Sequence, residues 1–122
     1  MLDRAGVAGY NGLQGASLMP IIRGDADPHD REAMLIEEEG QRIHLGFSVT
    51  SGVRTLMTKQ WRMSVYGGAA WGELYNLASD PDEASNLWDD PANAAVRAQL
   101  VEQLMRKSPD LTDISPMPTR VA

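Results

Sequence analysis

Residues 72–87 read GELYNLASDPDEASNL and decide the fold of this chain of 122 residues. Polar and apolar side chains alternate through GELYNL, which is the pattern of a half-buried strand. Asp80 and Pro81 then predict a turn, because proline fixes one backbone dihedral and aspartate accepts hydrogen bonds from nearby N–H groups. Glu83 and Asn86 offer further bonds from side chain to backbone. The stretch therefore predicts a strand followed by a polar turn that its own side chains hold.

Alternating runs before this stretch predict the rest of a small sheet. They cover residues 33–38, 53–58 and 61–66, and only Lys59 and Gln60 separate the last two. A connection this short predicts a tight antiparallel hairpin. With the strand of residues 72–77, the turn-length spacing indicates an antiparallel meander.

The last predicted element is a helix. Asp90 is expected to cap it, Pro91 suits its first position and Pro109 blocks its continuation. Apolar residues recur at helical spacing at Val96, Leu100, Val101 and Leu104. We expect a helix of about 16 residues that covers the sheet, because a small sheet needs a partner layer. The predicted fold class is α+β: a small antiparallel sheet of about four strands with a C-terminal helix packed on one face.

Amino-acid composition argues against several classes of function. The net charge is −6, with 17 acidic and 11 basic residues, so we expect neither a nucleic-acid surface nor binding to an anionic membrane. No apolar run approaches the roughly 18 residues of a membrane span. The chain has no cysteine, which excludes disulfides and thiolate metal sites.

Three passages, in this order, resemble the C-terminal end of bacterial sulfatases of the arylsulfatase type, in the alkaline-phosphatase-like superfamily. Residues 12–24 are similar to the family's GxQGxSLLPLLxG passage, and the hairpin of residues 53–66 is similar to VRTxxYKL. Residues 72–87 are similar to an ELYDL strand that runs into DPxExxNL. Asn76 stands where Asp is usual, and Met57 replaces a commoner Val or Arg.

The resemblance implies three segments. Residues 1–30 would connect to a catalytic domain that this sequence lacks, residues 31–108 would form the sheet and helix, and residues 109–122 would be an extended tail. The partner implied is thus the missing catalytic domain of the same polypeptide.

The resemblance also implies a sulfuric ester hydrolase that uses a formylglycine and a divalent metal of the calcium type. The formylglycine is made from Cys or Ser in a CxPxR or SxPxR motif, and this chain contains neither motif. We therefore expect the fragment to hold no cofactor and to be inactive alone. Its dense acidic cluster, Asp25 to Asp30 with His29, matches no metal-binding spacing and is interpreted as an exposed loop.

Two residues are candidates for the rim of the parent enzyme's substrate cleft. His44 lies between the first strand and the hairpin, in a connection that could face the active-site mouth. Arg54 could present a cation to an anionic substrate, or it could simply pair with a glutamate such as Glu37. The three tryptophans could form a carbohydrate or aryl platform, although such residues are more often core and interface anchors.

Two other functions stay open at this point. The chain could be a free-standing binding module that forms a homodimer through an exposed docking face, since an uncovered apolar patch tends to be covered. It could also be the tail of a related phosphonate or phosphate ester hydrolase, because these motifs do not carry specificity. The sequence does not separate the bacterial cytoplasm from the periplasm.

Overall fold

The computed structural model describes residues 2–9, 15–27, 32–40 and 52–109. The chain divides into two compact units, one of Met1–Arg31 with Pro109–Ala122 and one of Glu32–Ser108. None of the helices within the described ranges is long and apolar enough to span a membrane.

The first unit contains two short helical turns. A 3-10 turn at Asp3–Ala5 ends at Gly6, and helix α1 at Met19–Arg23 ends at Gly24. Both glycines have positive φ, 67° and 80°, where a residue without Cβ is favoured. The hydroxyl of Ser17 accepts from Met19 N at 3.1 Å and donates to the carboxylate of Asp3 at 2.5 Å, so it joins the two turns.

The second unit is built on one four-stranded antiparallel sheet. Its strands are β1 (Ala33–Glu39), β2 (Gly52–Thr58), β3 (Trp61–Tyr66) and β4 (Gly72–Asn76), in the order β1-β2-β3-β4. Each strand thus pairs with the next one along the chain, and the predicted meander and fold class are confirmed.

The core lies between this sheet and a C-terminal helix, α2 (Ala94–Lys107). The register aligns Leu56, Met63 and Leu74 across three strands, and all three are fully buried. Leu100 and Leu104 of α2 complete the cluster. Burial of each large apolar side chain contributes about 1.5–3 kcal/mol, so this row fixes the helix on one face of the sheet.

Helix α2 begins later than the sequence predicts. Asp90 does cap the backbone, because its Oδ1 accepts from Ala92 N at 2.9 Å, but Pro91–Asn93 form a 3-10 turn. The side chain of Asn93 donates to Asp90 Oδ2 at 2.8 Å, and its backbone N donates to Asp90 O at 3.0 Å. These bonds hold Asn93 at φ −102°, outside the α-helical region, which leaves α2 with 14 residues.

The other side of the sheet, which we call the open face, carries the alternate residues. They are Met34, Ile36 and Glu38 of β1, Val53, Thr55 and Met57 of β2, Arg62, Ser64 and Tyr66 of β3, and Glu73 and Tyr75 of β4. At its centre Thr55 and Ser64 are buried and share a hydrogen bond of 2.8 Å, so that each satisfies the other. On the β1 side, Met34 and Ile36 are 42% and 44% exposed.

Candidate functional site

The polar stretch after β4, residues 77–90, forms what we call the signature loop. Asp80 holds its first half, because Oδ1 accepts from Ala84 N at 3.0 Å and Oδ2 accepts from Ser85 N at 2.9 Å. One carboxylate therefore satisfies two consecutive backbone donors, which stabilises the turn predicted at Asp80-Pro81.

The second half of the loop is attached to the sheet by Asn86. Its Oδ1 accepts from Leu74 N and from Trp88 N, both at 3.0 Å, and its Nδ2 donates to Gly72 O at 3.0 Å. Leu87 N also donates to Leu74 O at 2.8 Å. The side chain of Asn86 thus makes the hydrogen bonds that a neighbouring strand would make to Leu74 N and Gly72 O. It satisfies these backbone groups at an edge that would otherwise attract other strands.

The guanidinium group of Arg62 joins the signature loop to the open face. Its Nη1 lies 2.6 Å from Glu83 Oε2 and its Nη2 lies 3.2 Å from Glu73 Oε2. The guanidinium also lies 5.4 Å from the centre of the Tyr75 ring, within the range of a cation–π interaction. Glu83 has a φ of +54°, an uncommon conformation for a residue with a side chain. The loop conformation therefore stores strain, and the Arg62 ion pair offsets it.

These contacts explain why residues 72–87 carry their particular side chains. Asp80 and Asn86 bind backbone groups, and Glu73 and Glu83 bind one arginine. Four polar residues of the stretch are thus engaged in holding it. The arrangement attaches the loop to the sheet and is not a catalytic constellation.

Arg54, the first candidate rim residue, lies on the same face of the sheet as α2. Its Nε is 2.7 Å from Glu37 Oε1 and its Nη2 is 2.5 Å from Glu39 Oε1. The hydrogen bond to Glu39, with the nearby charge of Glu37, raises the pKa of Arg54 above its ordinary value. The predicted pairing with Glu37 is confirmed. Because the carboxylates of Glu37 and Glu39 both pair with the guanidinium of Arg54, an anionic substrate would have to compete with both.

The second candidate, His44, lies outside the described residues, as do His29 and Asp30 of the acidic cluster. The structure therefore does not test whether His44 and Arg54 lie together, and their rim role stays a prediction. Within the ranges that the structure describes, no three His, Asp or Glu side chains are grouped so that they could hold a metal ion.

The three tryptophans have different environments. Trp61 and Trp88 pack against the core, whereas Trp71 is 43% exposed. The ring of Trp71 lies on that of Tyr66, with centroids 4.6 Å apart and planes at 37°. Burial, and then the charge of Glu73, raise the pKa of Tyr66 above 10.0. The residue type alone gives all three tryptophans the same two interpretations, a ligand platform or an anchor of the core. The run Gly67-Gly68-Ala69-Ala70 before Trp71 is the signal that separates it, because such small side chains do not cover an indole.

Known proteins resemble this chain in sequence. The family described as "N-sulphoglucosamine sulphohydrolase, C-terminal" matches residues 1–110. Arylsulfatase K of Bos taurus is 30% identical over 97 residues, which are 71% of this chain and 16% of that protein. An uncharacterized protein of Haemophilus influenzae is 26% identical over 101 residues, which are 83% of this chain and 48% of that protein. The chain thus spans half or less of the length of these relatives.

Solved structures share the fold. A 2-O GAG sulfatase is 27% identical with a TM-score of 0.63, over 89% of this chain and 24% of that one. A phosphonate monoester hydrolase of Silicibacter pomeroyi has a TM-score of 0.77 at 24% identity, over 93% of this chain and 24% of that one. The match over residues 1–110, the four-stranded sheet and the signature loop agree: this chain belongs to the N-sulphoglucosamine sulphohydrolase C-terminal family, the C-terminal domain of sulfatases.

Proposed function

We propose that this chain is the supporting domain of a sulfuric ester hydrolase whose chemistry lies in a catalytic domain of the same polypeptide. The observation that carries the proposal is the family match over residues 1–110. Solved relatives are about four times as long, since the chain covers 24% of each. The supporting domain would stabilise the enzyme and form part of the substrate cleft rim, and it would have no activity alone.

The chain's own residues support this division of labour. Hydrolysis of a sulfate ester needs an activated nucleophile and cations that stabilise charge on the sulfate oxygens. The sequence has no cysteine and no SxPxR motif, and the described residues include no group suited to a metal. The resemblance to sulfatases implies a formylglycine and a divalent metal of the calcium type, and we propose that the catalytic domain supplies both.

The open face offers the surface for docking. Met34 and Ile36 are both more than two-fifths exposed on one side of it, and exposed large apolar side chains that lie together mark interaction surfaces. We expect the β1 side of the open face to contact the catalytic domain, whose size relative to this chain is sufficient to cover it.

The rim would lie at one end of the sheet. In the antiparallel order, the end of β1, the start of β2, the end of β3 and the start of β4 lie at the same end. We call this the rim end. Arg54 lies in the first part of β2, and His44 belongs to the β1–β2 connection. Because the family is described by a sulfated glucosamine and one solved relative as a 2-O GAG sulfatase, the proposed substrate is a sulfated sugar.

The direct test compares the purified 122-residue chain with a longer polypeptide in which a catalytic domain precedes it. Release of sulfate from an aryl sulfate and from a sulfated glucosamine is measured for both. We expect hydrolysis only by the longer polypeptide. Hydrolysis by the 122-residue chain would overturn the supporting role.

The rim role of Arg54 is tested in the same longer polypeptide. Arg54→Gln should raise KM for the sulfated sugar, whereas Arg106→Gln should leave it unchanged, because Arg106 is an exposed residue of α2 that pairs with Glu102. An equal KM for both variants would exclude Arg54 from the rim.

A second candidate function is self-association, which the exposed Met34 and Ile36 favour. Sedimentation of the chain would then show a dimer, and Ile36→Ser would shift it towards the monomer. A monomer at high protein concentration would count against this candidate.

Phosphonate ester hydrolysis is the weaker alternative, because the similarity to the phosphonate monoester hydrolase is one of fold. The longer polypeptide separates the two reactions if its rates on a phosphonate monoester and on a sulfate ester are compared.

A further inference from the structure

Trp71 lies in the β3–β4 connection, at the rim end of the sheet. β3 ends at Tyr66 and β4 begins at Gly72, and Val65 pairs with Gly72. The two aromatic rings therefore meet just beyond that pair, where Tyr66 ends its strand on the open face. The turn between them consists of two glycines and two alanines, and Gly68 has a φ of +78°. This turn brings the indole back over Tyr66 without a large side chain that would cover it.

The indole is supported from below. The ring of Tyr66 lies 4.6 Å from it and is itself half-buried. An aromatic side chain has only two rotatable side-chain bonds, so contact with the tilted ring of Tyr66 restricts the indole at low entropic cost. The result is a pre-positioned, flat apolar surface that is 43% exposed.

Polar groups lie beside this surface. The carboxylate of Glu73 lies near the phenol of Tyr66, whose pKa is raised by burial and then by the charge of Glu73, and Glu73 also lies 3.2 Å from Arg62. A carboxylate accepts hydrogen bonds from hydroxyl groups but repels a sulfate group. A ligand here would therefore need one apolar face, hydroxyls at its edge and an anionic group that points away from Glu73.

A pyranose ring has this combination, since its axial C–H groups form an apolar face and its hydroxyls lie around the edge. We propose that Trp71 is a stacking subsite for a sugar ring of the sulfated saccharide, with Tyr66 as its support. This inference rests on the proposed function and adds to it the residue that would recognise the sugar. The net charge of −6 argues against a long polyanion held by charge, and thus favours contact with a single ring.

The subsite is separate from the proposed docking surface. Met34, on the docking side, pairs with Met57 in the row that leads to Arg62 and Tyr75. Trp71 lies beyond the opposite end of β4, at the rim end. Met34 and Trp71 therefore lie at opposite ends of the sheet and beside opposite edge strands. A catalytic domain that contacts the β1 side would leave the indole accessible.

The test is saturation-transfer NMR on the 122-residue chain with glucosamine N-sulfate as the probe. We expect transfer to the ring C–H protons of the sugar, and a shift of one of the three indole N–H signals, that of Trp71. Trp71→Phe should retain weaker binding, and Trp71→Ala should weaken it by about tenfold or more, as loss of an aromatic stack does. Arg106→Gln is the matched surface control and should bind like the unchanged chain.

Equal transfer in Trp71→Ala and in the unchanged chain would overturn the subsite, as would a response of Trp71 to 4-nitrophenyl sulfate but not to the sugar. The proposed function is tested separately by hydrolysis in the longer polypeptide. Hydrolysis there without sugar contact at Trp71 would reject the subsite alone. Sugar contact at Trp71 without hydrolysis would support the subsite and reject the sulfatase proposal.

Discussion

The indole ring of Trp88 lies against the α-carbon of Gly72. A Cβ built at position 72 would lie 2.6 Å from Cζ3 of that ring and 2.7 Å from the carbonyl oxygen of Ser64. On its other side the ring meets Arg97 of α2, whose guanidinium is 5.0 Å from the ring centre and donates to the carbonyl of Trp88. Trp88 is thus held between β4 and α2, and only glycine fits beneath it.

Gly72→Ala should therefore lower the free energy of unfolding by about 1–3 kcal/mol, the usual cost of inserting a methyl group into a packed site. Urea denaturation measures this change. Gly15→Ala is the matched control, because nothing lies within 4 Å of a Cβ at that position. Equal midpoints for the two variants would show that Trp88 moves aside freely.

Asn86→Ala should destabilise the chain by about 1–3 kcal/mol, because it leaves backbone groups of β4 without their partner. The amide of Leu74 should then exchange with solvent faster, which hydrogen-exchange NMR resolves. Asn93→Ala is the comparison, since the Asn93 side chain makes one bond, to Asp90. An unchanged Leu74 amide in Asn86→Ala would contradict the role of the side chain as a strand.

The ion pair between Arg62 and Glu83 should couple more strongly than an exposed pair. A double-mutant cycle with Arg62→Met and Glu83→Gln should give about 1 kcal/mol, against about 0.3 kcal/mol for Arg106 and Glu102. The reason is exposure: 23% and 31% for the first pair, and 76% and 63% for the second. Equal coupling in the two cycles would mean that the signature loop is held without this ion pair.

Alkaline pH should weaken the fold through Tyr66 and Tyr75. For both, burial and then the charge of Glu73 raise the pKa above 10.0. A phenol that binds its proton more tightly in the folded state contributes stability below the unfolded pKa, and this contribution is lost as the pH rises through the folded pKa. Tyrosinate absorbance should therefore rise at higher pH in the folded chain than in urea. Tyr66→Phe should remove part of that difference, and coincident titrations would refute the prediction.

The sequence predicts those features that depend on neighbouring residues. Alternation predicts the hairpin on either side of Lys59-Gln60, and the short connections predict that each strand pairs with the next one. The start of α2 is mispredicted, because Asp90-Pro91 is equally suited to begin a 3-10 turn, and only the bonds of Asn93 decide between the two.

Local sequence patterns do not identify hydrogen-bond partners that are distant in the chain. The acceptors and donors of Asn86 are 12 and 14 residues away, at Leu74 and Gly72, and no local pattern identifies them. The small residues before Trp71 indicate an exposed ring, whereas no local pattern indicates that Trp88 packs against Gly72 and Arg97. Arg54 is the intermediate case: its pairing with Glu37 follows from the strand register, while its role at the rim depends on residues of another domain.

The order of strands has a consequence for synthesis. Because each strand pairs with its predecessor, the sheet can assemble one strand at a time as the chain leaves the ribosome. The pairing of β1 with β2 closes the longest connection, residues 40–51, and has the largest loop entropy to overcome. The signature loop precedes α2 in the chain, so it can close the β4 edge before α2 packs on the sheet. The sheet would then be protected against association with other chains at that edge, although α2 does not yet cover the row of Leu56, Met63 and Leu74.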